Sequence, residues 1–269
     1  MIAIFVFLAV VYVRGWLHLH TTPAQPVRPW RAASFLTGLF LIWAAVGSRL
    51  VAYDHHLLTV HMIKHLLLMT VAPPLILLGE PHLAFSHGLP RAGSVRIDWA
   101  LQRSLAPRFA RTLSTPTLCW TVSALTLAGW HAPAAFTLAL HSTVWHSLEQ
   151  SSFLGAGFLF WWPVVQPWPS VSILLYLFLA TLPCDVLSGF LVFSERIVYP
   201  VYLSAPRHVS ISVLDDQQLA GALMWTVVTM VYLVAGVIVA MRSLSRSSVR
   251  VEAPAALEVV CDLRRGLVP

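Results

Sequence analysis

Charged side chains are scarce in this chain: only 10% of its 269 residues are charged, and lysine occurs once, at Lys64. Hydrophobic residues make up 58% of the sequence, and the mean hydropathy is +0.75. Soluble domains carry about 25% charged residues, so this composition excludes an ordinary soluble protein and leaves no room for a large soluble domain. The chain is therefore predicted to be a polytopic membrane protein, with the lipid bilayer as its surroundings.

Several function classes lack their sequence signals. The three cysteines form no Cys-x-x-Cys pair and are too widely spaced to indicate a disulfide framework. The net charge is +6, but the arginines are spread over short segments without a basic stripe between aromatics, which argues against nucleic-acid binding. The His-x-x-x-His spacing at 61–65 is typical of zinc proteases, yet Met62 stands where their glutamate would be. No serine-hydrolase or phosphate-binding motif is present either, so no enzyme is predicted.

Seven apolar stretches approach the roughly 20 residues that a helix needs to cross a bilayer. The sequence therefore predicts an all-α membrane helix bundle, with one seven-helix transmembrane domain over residues 1–241 and a flexible cytoplasmic tail over 242–269. The first stretch has no basic segment before it, which argues against a cleaved signal peptide. The predicted spans are about 2–19, 32–51, 58–79, 114–131, 145–165, 171–193 and 217–241.

The arginines predict the orientation of these spans. Loops rich in Lys and Arg stay in the cytoplasm, and here the segments after spans 1, 3 and 7 are basic, whereas the segment after span 4 has no Lys or Arg. This alternation predicts an N-terminus outside and a C-terminus in the cytoplasm. The basic residues concerned are Arg14, Arg28 and Arg31, then Arg91, Arg96, Arg103, Arg108 and Arg111, and finally Arg242, Arg246 and Arg250.

Two histidines open the third span. His61 and His65 are four residues apart, so they lie on one helical face, and Met69 continues that face by one more turn. Imidazoles in hydrocarbon are costly unless both are satisfied, which favours a functional role for the pair. Two nitrogens and a thioether can converge on one soft metal ion. Lys64 points away from this face, and its long side chain is expected to reach the outer interface.

A pair of prolines, Pro73 and Pro74, lies deeper in the same span. Each lacks a backbone N–H, and each ring clashes with the preceding turn, so the inner half of the helix is expected to kink or loosen. A bend that only suits the packing of neighbouring helices is the alternative interpretation.

Further polar side chains collect on the side predicted to face outward. Span 4 ends at His131, span 5 begins at His146 with Glu149 one turn deeper, and span 7 begins after Asp216. Antiparallel helix ends can thus present imidazoles at a similar depth. Each candidate has a structural alternative: an interfacial histidine can be held by a hydrogen bond, a methionine can serve as core, and Asp216 can cap a helix N-terminus.

Two other function classes stay open at this point. Histidines from two spans can ligate haem in a b-type electron carrier. A proton or cation transporter can use a path through the paired histidines, Glu149 and Asp185, although polar residues are rare on the side predicted to face inward.

Four sequence blocks resemble the CtaG family of cytochrome c oxidase assembly proteins of bacterial plasma membranes. They are HMIKHLLLM with VAPP at 61–74, WHAP at 130–133, HSLE at 146–149 with the following FLFWWP, and LDDQQLAG with MW at 214–225. The resemblance covers residues 12–241 and is specific when the four blocks are taken together. The chain departs from the pattern at Gln150, where such sequences commonly have a second histidine.

The resemblance implies an assembly factor rather than an enzyme. The factor is expected to deliver or hold copper for the oxidase binuclear centre, with oxidase subunits as partners and the bacterial plasma membrane as its location. An open or labile site suits transfer of the ion to a partner. The sequence predicts no oligomeric state. The expected copper ligands are His61, His65 and His131, then His146, Met69 and Asp216, with Glu149 as the partner that orients a histidine.

Overall fold

The computed structural model describes residues 2–21, 28–48, 53–89, 115–165, 170–206 and 210–265, with the backbone alone for 170, 171 and 245–265. Within these ranges all regular structure is helical, which confirms the all-α prediction. The five arginines between positions 91 and 111, on which the predicted orientation partly depends, lie outside the described residues.

The helices of the described ranges are numbered in chain order. They are α1 (Ile2–His20), α2 (Pro29–Gly47), α3 (Leu58–Leu66), α4 (Ala72–Leu78), α5 (Pro81–Gly88), α6 (Pro116–His131), α7 (Pro133–His141), α8 (Thr143–Val165), α9 (Ser170–Phe193) and α10 (Val213–Arg265). A π-helical turn, Leu67–Val71, joins α3 to α4, and a 3-10 turn, Pro200–Leu203, precedes α10.

Among the described residues, five helical segments are long and apolar enough to cross a membrane, namely Ile2–His20, Pro29–Gly47, Leu58–Leu78, Ser172–Phe193 and Val213–Leu244. They correspond to predicted spans 1, 2, 3, 6 and 7, and they identify a helical membrane protein. Predicted spans 4 and 5 coincide with α6 and α8. The first of these has only 16 residues, and the first half of the second is rich in polar residues. The seven-span topology and its orientation therefore stay predictions.

The third span lies at the centre of the bundle. In its apolar stretch 61% of the residues are buried, against 17–28% in the other four. Its first part, α3, packs against α10, and its second part, α4, packs against α2 and α8. The other main helix pairs are α9 with α10, α6 with α8 and α1 with α5. The histidines at the start of α3 consequently face protein rather than lipid.

The proline pair loosens this central helix, as predicted. Just before Pro73 and Pro74 the backbone widens into the π-helical turn Leu67–Val71. Pro73 has no N–H to donate to the carbonyl of Met69, four residues earlier. The indole Nε1 of Trp161 on α8 donates to that carbonyl instead, at 3.2 Å. The prolines thus create an acceptor by which α8 is attached to the central helix.

The last helix continues beyond the predicted membrane domain. α10 runs from Val213 to Arg265, so the backbone of residues 242–265 is helical. The separation of residues 1–241 from a flexible tail stays a prediction.

Candidate metal centre

Three buried side chains from two helices form a compact cluster. His61 and His65 come from the first two turns of α3 and Glu149 from α8, and one ligand atom of each lies within 4.8 Å of the other two. The Nε2 atoms of both histidines lie 3.5 Å from Glu149 Oε1. The imidazole ring centroids are 4.3 Å apart, because a spacing of four residues places both rings on one helical face. The sequence predicted this face, and α8 supplies the carboxylate that meets it.

Glu149 is fully buried at the centre of the cluster. His146, one turn earlier on α8, places its Nδ1 3.4 Å from Glu149 Oε2. Among the described residues, no hydrogen-bond partner is found for either carboxylate oxygen of Glu149, for either ring nitrogen of His61 or for Nδ1 of His65. Buried polar groups are ordinarily paired, and exceptions call for an explanation such as a bound ion. This concentration of unpaired ligand atoms is the feature that marks the site.

A second buried carboxylate, Asp54, joins the cluster through His146. Its Oδ2 lies 3.2 Å from His146 Nε2 and accepts a hydrogen bond from Lys64 Nζ. Burial alone would raise the pKa of Asp54, but the hydrogen bonds from His146 and Lys64 outweigh burial and hold this pKa below its ordinary value. Asp54 is therefore ionised at neutral pH and fixes the position of the His146 ring.

The prediction that Lys64 reaches the outer interface is wrong. Its side chain is 1% exposed and pairs with Asp54, because the segment before α3 folds back against the helix. Sequence analysis missed Asp54 altogether. A lone lysine inside an apolar span requires a buried counter-charge, and Asp54 is the acidic residue nearest to it in the sequence. Those two facts together could have identified the pair.

Aromatic side chains cover the cluster. The ring centroid of Phe136, on α7, lies 4.8 Å from the ring centroid of His61 and 4.1 Å from that of Tyr199. Tyr202, in the 3-10 turn, donates a hydrogen bond of 3.0 Å to the Asp54 carbonyl. All three aromatic residues are buried. The short helix α7 and the 3-10 turn thus shield the cluster from solvent.

His131 and Met69 lie beside the cluster rather than within it. The ring centroid of His131 is 5.9 Å from that of His65, and its Nε2 is 3.4 Å from the sulfur of Met62. Met69 is buried and lines the same cavity as these two histidines. The expected ligands therefore form two groups. His61 and His65 lie beside the Glu149 carboxylate, whereas His131 and Met69 lie at the cavity with the Met62 sulfur.

Asp216 occupies a different position. Its carboxylate accepts hydrogen bonds from the backbone N–H groups of Leu58, at 2.7 Å, and Thr59, at 3.2 Å, and from the Thr59 hydroxyl at 2.6 Å. The first amides of a helix lack intrahelical partners and favour a negative charge. Asp216 on α10 thus caps α3 from outside, and the structure does not bring it into the cluster with His61 and Glu149.

The charges of the cluster suit a cation. Two buried carboxylates, Asp54 and Glu149, are accompanied by one buried ammonium group, Lys64. If every imidazole is neutral, this network has one negative charge in excess, which either a bound cation or protonation of His146, whose two ring nitrogens both face carboxylates, would neutralise. Imidazole and carboxylate are ligands of the first-row transition metals, and two histidines with one carboxylate leave a coordination position open for exchange.

The sequence over residues 10–246 matches the protein family described as the cytochrome c oxidase caa3 assembly factor, Caa3_CtaG. Two similar proteins are the uncharacterized protein Mb0105 of Mycobacterium bovis and the uncharacterized protein MT0111 of Mycobacterium tuberculosis. Each is 26% identical over 232 residues, which cover 82% of this chain and 35% of the relative. The chain thus spans about a third of the length of these two relatives. No solved structure matches it.

Proposed function

Because the chain belongs to the family of cytochrome c oxidase caa3 assembly factors, we propose that it holds copper for the oxidase at the cluster of His61, His65 and Glu149. Membership of this family indicates a role in oxidase assembly, and therefore interaction with the oxidase, rather than catalysis. Copper is the cargo in this proposal, and the subunits of the oxidase that contain copper are the recipients.

One observation carries the proposal: the buried Glu149 carboxylate lies 3.4–3.5 Å from nitrogen atoms of three imidazoles, and none of these contacts has the geometry of a hydrogen bond. Leaving such groups unpaired in a protein interior costs about 1–3 kcal/mol each. A metal ion coordinated by His61, His65 and Glu149 would satisfy them together.

The surrounding residues then have distinct roles. His146 contacts Glu149 through Nδ1 and Asp54 through Nε2, so it orients the carboxylate and can serve as a further ligand after a small rotation. Lys64 and Asp54 hold His146 in place from the other side. Such outer contacts tune the affinity of a metal site by orienting its ligands. Gln150 also contacts His146 Nε2, at 2.5 Å, and amide groups are poorer ligands than imidazole for copper.

In the proposed topology the chain crosses the bacterial plasma membrane seven times, with its N-terminus outside. The cluster lies where α3 and α8 begin, so this topology places it close to the outer surface. Copper could then exchange with a recipient domain on that side. Reporter fusions at the C-terminus that are active only in the cytoplasm would support this orientation, and fusions active only outside would overturn it.

The experiment measures copper bound by the detergent-purified protein and cytochrome c oxidase activity in cells that carry each variant in place of the wild-type gene. We expect His61→Ala and Glu149→Gln to weaken copper binding by at least about tenfold and to lower oxidase activity. His141→Ala is the matched control, because His141 is an exposed histidine at the end of α7. Wild-type copper binding in both site variants, or normal oxidase activity in cells that carry them, would contradict the proposal.

A further inference from the structure

A small cavity rich in sulfur lies next to the cluster. It has a volume of about 40 Å³, and its lining includes Met62, Met69, Met224, Cys184, His65 and His131. Half of the six methionines of the chain therefore line one cavity, and all six of these lining residues are buried. A few tens of Å³ accommodate an ion or a water molecule, whereas organic ligands and cofactors occupy about 300–1,000 Å³. The size alone argues against haem as the occupant.

Neither of the two atoms in the contact between His131 and Met62 carries a hydrogen that it could donate to the other. His131 Nδ1 is 2.8 Å from the Leu127 carbonyl, which can only accept, so Nδ1 carries the hydrogen in the neutral ring. The opposite nitrogen, Nε2, then presents a lone pair, and it lies 3.4 Å from the Met62 sulfur. A thioether has no hydrogen to donate. Two lone-pair atoms thus face each other inside the protein, which is the arrangement of two ligands around a cation.

The distance between these atoms fits shared coordination. In tetrahedral sites, metal–nitrogen bonds of about 2.0 Å and metal–sulfur bonds of about 2.3 Å place the two ligand atoms about 3.5 Å apart. The observed separation of Nε2 and Sδ is 3.4 Å. The carbonyl that accepts from Nδ1 also fixes the tautomer of His131, as commonly seen for histidines that bind metals.

We propose that this cavity is a second metal site, which binds Cu(I) through His131 Nε2 and the sulfur atoms of Met62 and Met224. It is called the thioether site below. The choice of copper rests on the proposed function, but the choice of oxidation state follows from the ligands, since thioethers and imidazole without a carboxylate favour soft monovalent copper. Met69 and Cys184 add further sulfur to the wall.

The two sites meet at His65. This residue contacts Glu149 in the cluster through Nε2, and it also lines the cavity, while its Nδ1 has no hydrogen-bond partner among the described residues. An ion can therefore pass between the cluster and the thioether site by exchange of ligands around a single imidazole. No change of oxidation state is part of this step.

The test uses Ag(I), a redox-stable soft ion, as the probe, with the full-length protein in detergent. The double variant Met62→Leu/Met224→Leu should weaken Ag(I) binding by more than about tenfold, whereas His61→Ala should retain Ag(I) at the thioether site. Met230→Leu is the matched control, because Met230 lies on α10 like Met224 but is 55% exposed. Replacement of Met by Leu conserves volume and costs less than about 1.5 kcal/mol, so the variants should remain folded, which thermal unfolding checks.

A second measurement does not depend on affinity. Selenomethionine-labelled protein loaded with Cu(I) should show copper as a neighbour of selenium in X-ray absorption, and the double variant should lose this signal. Wild-type Ag(I) affinity in the double variant, or no copper neighbour in the labelled wild type, overturns the thioether site. Failure of the proposed function would look different: oxidase would assemble normally in cells that carry His61→Ala, while Ag(I) binding would still depend on Met62 and Met224.

Discussion

The ammonium group of Lys64 and the carboxylate of Asp54, ten residues earlier in the chain, form an ion pair in which neither side chain is more than 1% exposed. A buried pair of this kind contributes little net stability, but removal of one partner leaves an uncompensated buried charge. The pair also contacts His146, and so it connects the segment before α3 to α8.

We expect Lys64→Met to destabilise the protein by about 3–5 kcal/mol, because it leaves Asp54 buried without its counter-charge. The double variant Lys64→Met/Asp54→Asn should recover part of this loss. Free energies of unfolding, measured in mixed micelles for Lys64→Met, for Asp54→Asn and for the double variant, give the coupling energy directly. A loss below about 1 kcal/mol for Lys64→Met, typical of an exposed pair, would mean that the pair is not buried.

The sequence left two roles open for Asp216, a helix cap and a copper ligand, and its position in the structure favours the cap. As a cap of α3 it should contribute about 1 kcal/mol to stability. Asp216→Asn should lose much of that contribution, because both carboxylate oxygens accept hydrogen bonds and the amide keeps only one acceptor, while copper stoichiometry stays unchanged. If Asp216 were a copper ligand instead, the same variant would bind less copper at unchanged stability. Asp215→Asn provides the matched comparison, since Asp215 is an exposed acid whose side chain accepts from Ser212.

The local parts of this site could be predicted from the sequence, and the parts that depend on distant segments could not. The spacing of His61 and His65 decides which helical face they share, whatever the rest of the chain does. The cap from Asp216 to Leu58 joins residues 158 positions apart, and no local pattern contains it. The position of Lys64 was predicted wrongly for the same reason. Its direction on the helix follows from the sequence, but the folding of the segment with Asp54 back against that helix does not.

Gly157 packs closely between the proline-loosened helix and α8, the helix that supplies Glu149 to the candidate metal centre. A Cβ atom at this position of α8 would lie 2.7 Å from the Met69 carbonyl oxygen and 2.7 Å from Pro73 Cγ. Gly157→Ala should therefore push α8 away from the central helix and cost about 1–3 kcal/mol. Because Glu149 lies two turns earlier on α8, copper binding should weaken as well.

The control for this variant lies on the same helix. A Cβ atom at Gly155 would meet nothing within 4 Å, so Gly155→Ala should be neutral or should stabilise the helix by up to about 1 kcal/mol. Thermal unfolding and copper titration of both variants test the expectation. Equal behaviour of the two variants would show that the contact between α8 and the central helix does not position the cluster.

Phe136 is the side chain expected to control the rate at which copper leaves the cluster. Its ring lies 4.8 Å from that of His61, and the residue is 1% exposed. Phe136→Ala should open the cluster to water and chelators without removing a ligand, so copper should transfer to an excess of chelator faster from this variant than from the wild type.

The control is Leu138→Ala, at an exposed position of the same helix, which should leave this rate unchanged. Loss of a large core side chain costs about 3–5 kcal/mol, so the transfer is measured well below the unfolding temperature of the variant. An unchanged rate in Phe136→Ala would mean that copper reaches the cluster by another path, and the cavity beside His65 would then be the path to test.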